Sequence, residues 1–313
     1  MSATNRRWFT AAAATLLVTA AADSFAQGVS IHVDGRWKAG DEVRYERVKS
    51  RTDSAAATPF VTYTPVTIQV IETSPMRHLL RWRDGRSRTE GVPAAASALV
   101  EQLQERFANF EYVIELDRMG AITALRNWEA VRDAAFAAMD AAAAAPGGAS
   151  GAAAQPDAVA QVRALFSSRE SVERYLLREV QLFFMLYGWR LDPGEKTSYE
   201  DQLPNPLGGP ALPATATIEL ASADRQRATL RYTLDFDRDK AGRLLADSLA
   251  ALAARSGIAA SGVEAVAKSL QVRDTAELTF DLQARWPARL VHERNIRIQD
   301  RSRVDRLSFE RQP

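Results

Sequence analysis

The chain has 313 residues, with 40 lysines and arginines against 39 aspartates and glutamates, and no cysteine. That balance supplies no electrostatic footprint for nucleic acid, and the missing thiols exclude disulfides, cysteine redox chemistry and a thioether-linked lipid anchor. The three histidines, His32, His78 and His292, are far apart and form no H-x-x-H pair, so neither a metal site nor a cofactor is expected.

The first predicted element is a secretory signal at residues 1–26. Arg6 and Arg7 form a basic start, residues 8–20 an apolar run, and Ser24-Phe25-Ala26 a small-residue cleavage site ahead of Gln27. The run is too short for a lasting membrane span. The paired arginines before Trp8 and Phe9 also resemble a twin-arginine export signal, although Thr10 and Ala11 depart from that pattern. Both that route and general secretion stay open. The expectation is an exported, periplasmic body of residues 27–313 with thirty-eight basic and thirty-eight acidic residues and no transmembrane anchor.

Strands come next. Residues 41–49 alternate Val43 and Tyr45 with charges, and residues 60–72 are rich in β-branched side chains. Pro65 within that second run predicts an edge or a break. Residues 76–85 form a third strand ending in Asp-Gly. A short helix is predicted from Pro93, with Leu99, Leu103 and Phe107 on its apolar face, followed by a hairpin over 109–125. Asn127 is placed to cap a helix that carries Trp128, Val131, Ala135 and Met139 on one face. Residues 141–156, rich in alanine and broken by Pro146 and Gly147-Gly148, are expected to form an exposed mobile loop.

A helix over 169–187 has a wide apolar surface made by Val172, Leu176, Val180, Phe183 and Tyr187, joined by Phe184 and Leu186. The pattern then breaks up as far as DQLPNPLGGPALP, residues 201–213. Four prolines stiffen this segment and Leu203, Leu207 and Leu212 can anchor it, which predicts a packed strap between two units. Strands return at 215–221 and 227–237, helices at 241–254 and 262–270, and strands at 275–285, 288–299 and 304–311.

Blocks of strands alternating with blocks of helices read as an α+β fold, a curved and mainly antiparallel sheet with packed helices. Residues 111–127 match 277–295 in their succession of strand, turn and strand, and the hairpin at 64–82 matches the one at 215–232. A duplicated hairpin–helix–hairpin unit, with lobes at about 38–140 and 188–313, would account for both matches. Side by side, two such units are similar in architecture to the half-barrel carriers of lipid or lipoprotein in bacterial envelopes. The similarity is one of layout and carries no residue motif.

No G-x-S-x-G, S-x-x-K or glycine-rich phosphate loop occurs. Glu111, Glu115, Asp117, Glu277 and Asp281 are the carboxylates open to a glycosidase reading, and solubility or pairing with Arg118, Arg285 or Arg294 is the ordinary reason for them. The expectation is a non-catalytic protein that binds an apolar ligand or a cell-envelope protein. Phe183, Phe184 and Leu186 are the candidate lining, with Leu203 and Leu207 at the rim. An envelope scaffold, or a carboxylate hydrolase acting on surface glycan, is the alternative.

Overall fold

The computed structural model describes residues 30–54, 59–92, 110–144, 168–203, 211–256 and 269–313, with isolated positions at 100–108, 163 and 166. The predicted signal, most of the 93–107 helix, the loop from 145 onward, Pro204 to Pro210 and most of the 262–270 helix lie outside them.

The strands are β1 (Ile31–His32), β2 (Glu42–Asp53), β3 (Phe60–Thr73), β4 (Arg77–Asp84), β5 (Arg88–Glu90), β6 (Glu111–Asp117) and β7 (Ile122–Leu125). They continue as β8 (Arg190–Leu191), β9 (Lys196–Leu203), β10 (Leu212–Ala223), β11 (Arg227–Phe236), β12 (Gln271–Asp281), β13 (Trp286–Ile298) and β14 (Arg301–Arg311). The described helices are α1 (Trp128–Ala144), α2 (Arg169–Leu176), α3 (Arg178–Phe184) and α4 (Arg238–Ser256). A mixed α+β fold results, built on one twelve-stranded sheet. Its order is β7-β6-β4-β3-β2-β14-β13-β12-β11-β10-β9, with β5 beside β3, and all of its pairings are antiparallel. β1 and β8 form a separate pair. Among the described residues no helix is long and apolar enough to cross a membrane.

The sheet is two-faced, as period-two alternation requires. Val66, Ile68, Val70, Leu80, Trp82, Ile114 and Leu116 point inward and are almost wholly buried. The outer face carries ion pairs such as Arg231–Glu277 and Lys196–Glu219. The helices close the inner face. Ser168 caps α2 by accepting a hydrogen bond from the Ser171 N–H at 3.3 Å. The single 169–187 helix expected from the pattern is broken at the buried Leu177 (φ −92°, ψ 6°), which sets α3 apart from α2. Asn127 does not turn its side chain to the helix it precedes. Its Oδ1 accepts from the Val113 N–H at 2.8 Å and its Nδ2 donates to the Glu111 carbonyl at 3.0 Å, tying the helix start to β6.

Pro65 lies inside the sheet, opposite Glu46 of β2. Its other neighbour is the gap between β5, which pairs with residues 61–63, and β4, which begins at Val66. The Pro65 carbonyl accepts from the Gly85 N–H at 2.7 Å on that side. The N–H that proline lacks therefore points where no strand asks for it. The break expected from the sequence falls in the neighbouring strand.

One departure is larger. KTSYEDQL, read as irregular, is edge strand β9, and Leu203 pairs with Leu212. DQLPNPLGGPALP thus begins in β9 and ends in β10, which are adjacent and antiparallel, and its middle, where the strap was expected, lies outside the described residues. His78 and His292 are buried, because they share strand parity with Leu80 and Leu290.

The two matched hairpins agree in detail. The β3–β4 register slips between Val70 and Glu72, and the β10–β11 register between Leu220 and Ser222, at equivalent positions. Their turns match as well. Ser74 Oγ accepts from the N–H groups of Met76 and Arg77, as Asp224 Oδ1 does from Gln226 and Arg227.

Burial pushes the His78 imidazole below its ordinary value, outweighing a backbone contact at Arg118 and the charge of Asp117. The folded state therefore holds His78 neutral, while the unfolded chain protonates it from about pH 6.5 downward. Its contribution to stability is complete above that pH and is lost as pH falls through the depressed folded value. Urea unfolding at several pH values should show wild-type stability falling below about pH 6.5, more steeply than in His78→Leu. Equal slopes in the two proteins would refute the assignment.

Candidate ligand-binding site

Position by position, the inner face changes character along the strands. On β2 the inward series runs Val43, Tyr45, Arg47, Lys49, Arg51. On β13 it runs Leu290, His292, Arg294, Ile296, and on β14 Phe309, Leu307, Asp305, Arg303. One row across five strands reads Asp274, Arg294, Asp305, Arg51 and Phe60 in mutual register. The next row outward reads Val272, Ile296, Arg303 and Asp53. The face is thus an apolar floor, then a charged band, then a strip where Ile296 and Ile298 are only half-buried.

α3 borders the charged band. Arg178, Glu179 and Leu182 form one wall of a cleft of roughly 400 Å³ over Lys49, Arg51, Arg294, Arg303 and Asp305. A second cleft of roughly 420 Å³ holds Phe236, Val272 and Ile296, and a third of roughly 580 Å³ holds Ile296 and Ile298. Arg303 lines all three.

Most charges in the band are paired. Arg294 grips Asp274 with two bonds of 2.6 and 2.5 Å, and His292 Nε2 lies 3.3 Å from the same carboxylate. Burial pushes the Asp274 carboxyl up, but the hydrogen bonds and charges of His292 and Arg294 win and hold it below the usual carboxylate range. Arg51 and Arg303 share Asp305, at 2.8 Å and at 3.0 and 2.6 Å. Arg47 bonds Asp84 and reaches Glu179 at 3.0 Å, and Lys49 also contacts Glu179. Glu179 is likewise held low, burial opposing and the charges of Arg47 and Lys49 prevailing. Arg178 is exposed and makes no hydrogen bond or ion pair among the described residues.

The residues expected to line a site are placed as follows. Phe183, Phe184 and Leu186 are exposed by 1%, 3% and 1%, packed beneath α3. Leu203 is fully buried at the end of β9, and Leu207 lies outside the described residues. None of the four described residues lines the three clefts. The apolar residue that α3 turns to the cleft is Leu182, one position before the aromatic pair. The polar signal was missed although the sequence carried it, since His292, Arg294, Lys49 and Arg51 fall on the same parity as core residues.

Chemistry of other kinds finds little support in the carboxylates singled out above. Glu111 bonds Arg81 and Arg83, Glu115 contacts Arg77 and Arg126, and Glu277 lies 3.5 Å from Arg231. Asp117 Oδ1 accepts from two N–H groups of the β6–β7 turn, and Asp281 holds the β12–β13 turn and Arg311. These are not the partners expected. Arg285 bonds Asp34 and Arg294 bonds Asp274 instead. Glu115 is held below the usual carboxylate range chiefly by Arg126, and Glu111 by Arg83 and Arg81 against the effect of burial. A general acid needs the opposite shift. Among the described residues no three His, Asp or Glu side chains are grouped to hold a metal ion.

No family model and no curated protein matches the chain. A solved structure titled "Lipid-protein interactions in lipovitellin" is similar to it over 88% of this chain and 25% of that one, at 8% identity and a TM-score of 0.43. The chain therefore spans about a quarter of that protein's length.

Proposed function

We propose that this is an exported, non-catalytic protein of the bacterial periplasm that binds an apolar ligand along the strip of inner sheet face beyond α3. The observation that carries the reading is the row of three adjoining clefts in which Leu182, Phe236, Ile296 and Ile298 stand half-buried. Half-buried aliphatic and aromatic side chains on a concave surface gain from an apolar occupant, at about 25 cal/mol per Å² removed from water. In this reading Phe183, Phe184 and Leu186 serve the site from beneath, as the packed base that fixes α3 and hence its cleft-facing residues. The export half rests on the basic start, the apolar run and the small-residue site at Ala26.

Native mass spectrometry of gently extracted periplasmic protein, beside the same sample denatured, tests both halves. An apolar molecule lost on denaturation, together with a chain starting at Gln27, is the expected result. Protein that is empty in every preparation, or that retains Met1 in the cytosol, would overturn the corresponding half. Empty protein that copurifies with an envelope protein would shift the reading to partner binding.

A further inference from the structure

We propose that the charged band is a receptor for the phosphate group of an amphipathic ligand, with Arg178 as the residue that binds it and Arg51 and Arg303 completing the pocket. This deepens the apolar-ligand reading and rests on it.

Three observations converge. The first is the charge count around the cleft. Arg47, Lys49, Arg51, Arg178, Arg294 and Arg303 face four carboxylates, Asp84, Glu179, Asp274 and Asp305. Two more cations than anions stand in and around the cleft; of those counted, Arg47, Asp84 and Asp274 do not line it. The second is how the excess is distributed. Arg294 is committed to Asp274, and Arg47 and Lys49 to Asp84 and Glu179, whereas Arg178 makes no hydrogen bond or ion pair among the described residues. Arg51 and Arg303 divide one carboxylate, which leaves N–H groups uncommitted on both guanidiniums. A tetrahedral phosphate with several acceptor oxygens can take a forked pair from one arginine and single bonds from others.

The third observation is location. Arg303 belongs to the cationic cleft and to both clefts beyond it, where Phe236, Val272, Ile296 and Ile298 stand among polar side chains. A phosphate held at Arg178 and Arg303 would have Ile296 and Ile298 as the next surface for an attached acyl chain. The energetic reason for an anion also lies in the site. Desolvation, and then the positive charge of Arg294, hold the Arg178 guanidinium below the usual arginine value against the attraction of Asp274, Asp305 and Glu179, and a further anion beside it would act in the same direction as those carboxylates.

The test is calorimetric titration of the full chain at low salt with three probes. These are a myristoyl lysophosphatidylglycerol below its micelle concentration, monomyristoylglycerol as the uncharged counterpart, and inorganic phosphate. The wild type should bind the phospholipid about tenfold more tightly than the neutral lipid, the scale of one charge-assisted contact. Arg178→Gln should close that gap and leave neutral-lipid binding unchanged. Arg231→Gln, on the outer face, should behave as wild type. Arg178→Gln should also unfold at close to the wild-type midpoint, since it breaks no hydrogen bond or ion pair among the described residues.

If both lipids bind equally well and Arg178→Gln changes nothing, the phosphate receptor is overturned and the apolar-ligand reading stands. If neither lipid binds but inorganic phosphate does, and Arg178→Gln abolishes it, the site takes a free anion and the apolar-ligand reading falls. If no probe binds, both fall.

Discussion

Asp274→Ala should destabilise the protein by about 3–5 kcal/mol at pH 7, the range for removing one partner of a buried ion pair. Asp274 is 3% exposed and Arg294 7%, with His292 at 3% beside them. Deleting the carboxylate leaves a guanidinium with no acceptor in a site that water barely reaches. The loss should come from that stranded charge and not from the pair as such. Asp274→Leu with Arg294→Met, which removes both charges at similar volume, should therefore recover most of it. Because the Asp274 carboxyl is held below its ordinary value, its contribution is present in full above about pH 4 and is lost as pH falls through the depressed value. The single variant and the wild type should accordingly converge in strong acid. Urea unfolding across pH checks both statements. A loss under about 1 kcal/mol at pH 7 would mean that Arg294 is satisfied without Asp274.

Phe183→Ala should cost about as much, 3–5 kcal/mol, by a different route. The Phe183 ring meets Tyr45, Trp82, Phe184 and Phe309 at centroid distances of 5.1, 5.3, 5.0 and 5.2 Å, each close to edge-on. It joins α3 to β2, β4 and β14 at once, so truncation opens a void between layers that cannot collapse together. Thermal unfolding should show the loss, and Phe183→Leu should show a smaller one. A near-neutral Phe183→Ala would instead mark a side chain in contact with a removable ligand. Leu182→Ala, one residue earlier and half-buried, should leave stability nearly intact while weakening apolar binding.

The contrast between neighbouring residues shows what was readable in the sequence and what was not. Helical spacing located the apolar surface over 169–187 but could not tell which side chains fill the core and which border a cleft. That depends on the break at Leu177, which rotates α3 and has no compositional signal. The antiparallel sheet was legible because its central strands bury one face, and alternation of Val66, Ile68 and Val70 with polar residues leaves little choice. Strand β9 was not. It has one neighbour, and only Tyr199 and Leu203 are apolar, so its pairing with β10 is carried by backbone bonds to which composition is blind. The charged band is the instructive case. Arg47, Lys49, His292 and Arg294 each occupy a position whose parity assigns it to the interior, and an inward cation on a strand is seldom placed without a partner.

The pairing of β14 with β2 has a consequence for how the molecule comes into being. The two strands at the middle of the sheet are about 250 residues apart in sequence, joined by contacts such as Arg51 with Asp305. Each half of the sheet is a meander of mostly near neighbours, which a growing polypeptide can assemble as it emerges. The closure between them waits for β14 to be synthesised. Until then β2 presents an open edge to whatever else is nearby. Such a high contact order favours a slow final step. A sheet held open until β14 emerges would leave the unpaired β2 edge as the surface for a chaperone to shield.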